Sequence, residues 1–168
     1  MSKYSKFLFV VVMCCKPVFS QSASDNMQLT DRQLLDRIAI EALATEYYYL
    51  LDHGQAEKLA DLFTEDGVQY FAFSNQKLAG KAEIHKYYQA RSKTRITRHV
   101  STNLRLVFES DDRVSGIRTI SYYAGEGEDI PVAIPSIAEY EEVFVRGDDG
   151  QLRFALRKVK GVFRRLDE

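Results

Sequence analysis

The spacing of apolar residues changes once along this chain, and the change decides its class of fold. Up to about residue 91 the apolar positions recur at three- and four-residue steps, as in helices that pack by one face. Thr30 or Asp31 can cap a first long helix that carries Leu34, Leu35, Ile38, Ala42, Leu43 and Tyr49 on its apolar stripe and ends at Gly54. A short second helix is expected over Ala56–Phe63. Thr64-Glu65-Asp66-Gly67 reads as a turn into a strand, Val68–Phe73, and Gly80–Arg91 reads as a third helix with Ile84, Tyr87 and Tyr88 inward. From residue 96 the period is two. Ile96, Arg98 and Val100, then Leu104, Leu106 and Phe108, alternate along one strand, and Asp111-Asp112 turns it into Val114–Tyr123. After a loop at Gly125–Pro135, Ile137–Arg146 and Leu152–Arg165 are joined by Gly147-Asp148-Asp149-Gly150, a hairpin connection made of residues that tolerate positive φ.

Helices followed by a meander of strands define an α+β domain. The expected architecture is a cone-shaped α+β barrel, a curved, mostly antiparallel sheet wrapped around the long N-terminal helix. Such a cone is open at one end and holds an apolar pocket, where any polar side chain needs a partner or a purpose.

Before that domain the chain has a different character. Lys3 and Lys6 precede an apolar run from Phe7 to Cys15, followed by Lys16-Pro17 and Val18-Phe19-Ser20, the layout of a secretory signal peptide. The expected organisation is a signal peptide over residues 1–20, a polar tether over 21–30 and one domain over 31–168, with secreted or periplasmic localisation. The full 168 residues carry a net charge of −1; losing Lys3, Lys6 and Lys16 lowers it to about −4, which offers no global field for nucleic acid. Both cysteines, Cys14 and Cys15, leave with the leader, so no thiol chemistry or disulfide is expected in the mature chain, and no membrane association after cleavage. The basic run Arg153, Arg157, Lys158, Lys160, Arg164 and Arg165, with Arg91, Lys93, Arg95 and Arg98 upstream, reads either as a basic face for an anionic partner or, as the acidic total favours, as a solvated barrel exterior balanced by Glu139, Glu141 and Glu142 on the neighbouring strand.

The three histidines, His53, His85 and His99, have no ligand spacing among themselves or with carboxylates, so no metal is expected. Neither a Gly-x-Ser-x-Gly elbow nor a phosphate-cradling glycine loop is present. His85 is expected to face solvent, and His53 to interact with the first helix's C-terminus. By strand alternation His99 shares a face with Ser101 and Asn103; that face lines either solvent or a polar cavity, and periodicity leaves both open. Asp52 ends the first helix, where the helix dipole disfavours a carboxylate. It either faces solvent at the turn or points into the mouth of the cone and orients a histidine. Tyr47, Tyr48, Tyr49 and Tyr70 would bring phenols close to it, as core aromatics or as donors to a ligand.

Tyr47-x4-Asp52-x-Gly54-x4-Leu59-Ala60-x-Leu62-Phe63-x-Glu65-Asp66-Gly67, then Gly80-Lys81-x-Glu83-Ile84 and Arg98-His99-x3-Asn103, resembles the SnoaL-like branch of the nuclear transport factor 2-like superfamily over about residues 31–165. The resemblance implies the same cone-shaped barrel, but not one activity, since the fold hosts enzymes and binders alike. Its nearest chemistry looks like that of scytalone dehydratase and the bile-acid dehydratases, which need no cofactor. It implies Asp52, His99, Tyr47 and Tyr70 as catalytic residues and Tyr48 and Asn103 in substrate binding. Ser121, Tyr122, Tyr123 and Tyr140 stand in loosely for polar pocket residues on later strands, with Tyr123 and Tyr140 chosen as substrate-binding. The function so implied is a lyase or isomerase acting on a small apolar oxygenated ring. The alternative is a non-catalytic small-molecule-binding or assembly domain. A homodimer is expected by the same resemblance.

Overall fold

The computed structural model describes residues 28–127 and 136–163. The proposed leader, both cysteines, Arg164 and Arg165 lie outside the described residues. Helix α1 (Asp31–Asp52) leads through a short 3₁₀ helix (Ala56–Leu62) into strands β1 (Phe63–Phe71) and β2 (Gln76–Ala79). Helix α2 (Lys81–Gln89) follows, then β3 (Arg95–Ser110), β4 (Arg113–Glu126), β5 (Ser136–Arg146) and β6 (Leu152–Phe163). The six strands form one sheet in the order β2-β1-β6-β5-β4-β3. Every pairing is antiparallel except β1 with β6. The sheet is curved and unclosed, with α1 in its concave side, so the α+β cone expected from the sequence is the fold observed.

α1 starts where its cap predicts. The Thr30 hydroxyl accepts from the Gln33 amide at 3.2 Å, and the Gln33 side chain accepts from the Thr30 amide at 3.0 Å, satisfying two end donors reciprocally. The buried face differs from the expected stripe. Leu34, Leu35 and Ile38 are half or more exposed and Tyr49 is exposed, while Asp36, Ile40, Ala44, Tyr47, Tyr48 and Leu51 turn inward. This helix carries apolar residues on both sides, and an ion pair selects between them: Asp36 accepts from Arg146 Nη2 at 2.6 Å beneath β5.

β1 corrects a second expectation. Thr64-Glu65-Asp66-Gly67 is no turn but lies inside the strand, where the register against β6 slips between Phe63 and Val68. Gly67 is required there: a Cβ would lie 2.9 Å from both the Phe154 carbonyl oxygen and Phe63 Cβ. β2, which the sequence reading lacked, pairs with β1 in a hairpin closed by Asn75 at φ 52°.

Bulges also set which residues of the long strands face the core. On β3 the pairing with β4 shifts between Thr102 and Arg105, with Asn103 at φ 55°. Thr97 and His99 point inward before the bulge, and Leu104, Leu106 and Phe108 pack on the core after it, so both sets share one face. On β6 the pairing slips at Ala155, and inward positions pass from Leu152 and Phe154 to Arg157 and Val159. Arg157 is therefore fully buried with Glu142, not on a solvated exterior. That exterior reading holds for their neighbours: Lys158 pairs with Glu141 at 2.7 Å and Lys160 with Glu139 at 3.9 Å.

Candidate active site

α1 delivers Asp52 to the inner face of β3. Its Oδ1 lies 2.6 Å from His99 Nδ1 and accepts from the Thr97 hydroxyl at 2.7 Å, while Oδ2 accepts from the His99 backbone N–H at 2.8 Å. Arg98 Nη1 donates to the Asp52 carbonyl at 3.0 Å, capping the helix end. These partners explain a carboxylate at the unfavourable pole of the helix dipole. The two side chains are only 7% and 4% exposed. Burial alone would raise the Asp52 pKa, but the hydrogen bonds from the His99 ring and Thr97, and the imidazole's charge, together hold it below its ordinary value. Asp52 is a carboxylate at neutral pH, so the Nδ1 proton sits on His99 and is donated to it. His99 Nε2 has no hydrogen-bond partner among the described residues.

His99 lines a cavity of about 1100 Å³ that opens at one end of the cone. Leu51, Phe71, Leu78, Ile137 and Val159 make apolar wall, and Tyr47, Tyr88, Tyr122 and Tyr140 present phenols along it. The Tyr48 ring stacks on the imidazole at 5.2 Å between centroids, and Tyr122 lies against it at 5.0 Å. Tyr122 is held by Arg95, whose Nη2 donates to its hydroxyl at 2.9 Å. The Tyr47 and Tyr88 hydroxyls are hydrogen-bonded to each other, and the Gln69 carbonyl oxygen lies 3.5 Å from Tyr47. Burial pushes the Tyr48, Tyr88 and Tyr140 phenols up from their ordinary pKa, so they stay protonated and can donate.

Behind this wall lies a charged network the sequence reading missed. Glu142 accepts from Arg118 Nε at 2.7 Å and Arg157 Nε at 2.9 Å, all three fully buried. Arg157 Nη2 donates to the Tyr48 hydroxyl at 2.6 Å, and its guanidinium lies 3.6 Å from the Tyr47 ring centre and 4.7 Å from that of Tyr140. One side chain thus fixes three tyrosines. The slip on β6 at Ala155 turns Arg157 inward to Glu142 and Arg118; the basic run read from the sequence held Arg157 and Glu142 as exterior residues and did not include Arg118.

The structure brings Asp52, His99, Tyr47, Tyr48 and Tyr140 together. Tyr70 is elsewhere: with the bulge in β1, Gln69 and Phe71 face in, and Tyr70 faces out to donate to Asn75 at 2.9 Å. Asn103 is exposed, and its backbone forms the bulge rather than a pocket wall. Tyr123 pairs with Arg98 on the outer face and is 40% exposed; Tyr122, the register partner of His99, occupies the inner position. His53 bonds the Tyr49 carbonyl at 2.8 Å, as expected of a residue at the helix end, and His85 is exposed. A Tyr70→Phe variant should keep the cavity's ligand affinity and any turnover within about twofold, since it loses one exposed hydrogen bond; a tenfold loss would return Tyr70 to the site.

The fold is thus an α+β cone in which a buried Asp–His pair opens on a phenol-lined cavity. The chain belongs to the SnoaL-like domain family, which it matches over residues 32–158, within the nuclear transport factor 2-like superfamily. No curated protein matches it in sequence. Among solved structures it is similar to a protein from Novosphingobium aromaticivorans provisionally named scytalone dehydratase, with 24% identity over 83% of this chain and 94% of that one, TM-score 0.68. It is similar to a variant of Rv3472 from Mycobacterium tuberculosis, of unknown function, with 25% identity over 83% and 78% of the two chains, TM-score 0.69. A hexachlorocyclohexane dehydrochlorinase from Novosphingobium barchaimii shares 23% identity over 80% and 92%, TM-score 0.66.

Proposed function

We propose that this protein is a lyase or isomerase that works without a cofactor, opening its reaction by taking a proton from carbon next to a carbonyl. The observation that carries the reading is the Asp52–His99 pair, with Nδ1 bound to the carboxylate and Nε2 unpartnered in a residue that lines the cavity. Asp52 fixes the tautomer and supports the imidazolium that forms; His99 Nε2 accepts the proton. The C–H electron pair moves onto the carbonyl oxygen, and a cavity phenol donates to the enolate as its charge develops. Tyr122, tied to Arg95, and the Tyr47–Tyr88 pair replace Tyr70 in that role. Expulsion of a β-hydroxyl, protonated by a phenol, gives water and an enone; return of the proton to another carbon gives an isomer. Two of the similar structures are named for eliminations, which favours the first outcome. The cavity is large enough to admit a fused-ring substrate.

The test is deuterium exchange into 2-tetralone, a bicyclic ketone, followed by NMR in D₂O. Wild-type protein should accelerate exchange at the carbons beside the carbonyl well above protein-free buffer. A ketone that binds but does not exchange overturns the catalytic reading and leaves a non-catalytic binding domain.

A further inference from the structure

Three cations line the cavity, and all lie on one side of it: Lys86 near the end of α2, Arg91 just past it and Arg95 at the start of β3. Lys86 and Arg95 are exposed, so they stand where the cavity opens. Among the described residues none of the three has a carboxylate within 4 Å, as is also true of Arg98 and Arg105, whereas Arg32, Arg37, Arg113, Arg118, Arg146, Arg153 and Arg157 each have one. Three acidic side chains are close in the fold, of which Asp52 meets Arg91 only through the Thr97 hydroxyl they share. Glu83 lines the same cavity but is engaged by the Ala79 backbone N–H at 2.8 Å, and Glu126 is the register partner of Arg95 on β4 without forming an ion pair. The negative pole of α2 accounts for a cation at its end, but not for Arg95 on a strand. Arg91 and Arg95 each spend one Nη2 donor inward, on Thr97 at 2.9 Å and Tyr122 at 2.9 Å. A guanidinium has five N–H donors, so both have others to offer.

The same opening is framed by Phe73 and Phe163, the former 71% and the latter 66% exposed. An apolar chamber, an aromatic lip and three cations on one side, with no ion-pair partner among the described residues, fit a ligand with two ends. Resting on the reading of this cavity as the ligand site, we infer that the substrate is an anion, a fused-ring carboxylate whose rings enter the chamber while its carboxylate docks on Lys86, Arg91 and Arg95. Planar carboxylates are bound bidentately by guanidinium groups, which also fixes which ring carbon meets His99.

The experiment compares two probes of the same shape, 2-naphthoate and 2-naphthamide, by calorimetric titration at low salt. Naphthoate should bind about tenfold or more tightly than the neutral amide. In the Lys86→Gln variant that preference should fall by about threefold or more while naphthamide affinity stays as in wild type, which also reports that the cavity is intact. Arg91 and Arg95 are left in place because they support Thr97 and Tyr122. Equal affinity for the two probes, or a preference unchanged in Lys86→Gln, overturns the inference and leaves the catalytic reading untouched. Failure of both probes to bind overturns the cavity as a ligand site, and the inference with it.

Discussion

His99→Gln is expected to slow carbonyl-adjacent proton exchange by about 10²–10⁴-fold, the usual contribution of a positioned general base, while cavity ligands still bind. Gln keeps a polar end without an acid–base function at neutral pH, so a loss confined to rate assigns the proton transfer to the ring. Asp52→Asn should lose a comparable factor for a different reason. The Asn amide would donate to Nδ1 where Oδ1 now accepts, driving the ring to the tautomer with its proton on Nε2, the nitrogen that must be bare. ¹⁵N shifts of the His99 ring read this directly: a protonated Nδ1 and bare Nε2 in wild type, reversed in the variant. Unchanged shifts together with unchanged exchange would sink the dyad. The variant also carries a pH signature. Because folding lowers the Asp52 pKa, the carboxylate's stabilisation is present above its ordinary value of 3.8 and is lost as pH falls through the lower folded value. The stability gap between wild type and Asp52→Asn should therefore be largest at neutral pH and narrow below that point.

The second large effect is on stability. Glu142→Ala would leave Arg118 and Arg157 facing each other in the core without the carboxylate that both now share. Removing one member of a buried ionic set costs about 3–5 kcal/mol, and at about 2–4 °C per kcal/mol for a domain of this size Tm should fall by roughly 6–20 °C. Replacing all three together, Arg118→Met, Glu142→Leu and Arg157→Met, should restore most of that loss, since well-packed apolar residues often equal a buried ion set. That triple variant should nevertheless weaken activity, because Arg157 also holds the Tyr48 hydroxyl and the Tyr47 and Tyr140 rings. A fall in Tm below about 2 °C for Glu142→Ala would show that the pair of arginines finds other partners.

Asp52 and His99 stood out in the sequence because they sit at landmarks, one at the end of a capped helix and one where a strand's polar face begins, but the residues alone left open whether either faces the cavity, and the resemblance supplied the pairing. The expected α+β cone followed from the change of period. What was misplaced was mostly misplaced by one residue. Tyr123 stood in for Tyr122, Tyr70 faces out where Gln69 faces in, and Arg157 was set outside when it lies at the centre. Each error is one of parity, but only Arg157 lies beyond a bulge on its own strand, at Ala155, where an added residue reverses the face that alternation assigns. Tyr70 and Tyr123 came from the resemblance, which carries a position to within a residue and not to a face. The stripe on α1 failed differently. Leu34, Leu35 and Ile38 are as apolar as the residues that won, and Asp36 reached the inside only because Arg146, 110 residues later, was there to meet it.

The Asn103 bulge divides β3 into two reading frames on one piece of backbone. His99 belongs to the frame that faces the cavity, with Thr97 behind it on Asp52, and Leu104, Leu106 and Phe108 to the frame that packs the core. Mutation in the first frame can reshape what the cavity accepts without touching the residues that hold the second in place. The left-handed backbone at residue 103 thus keeps the two frames separately editable.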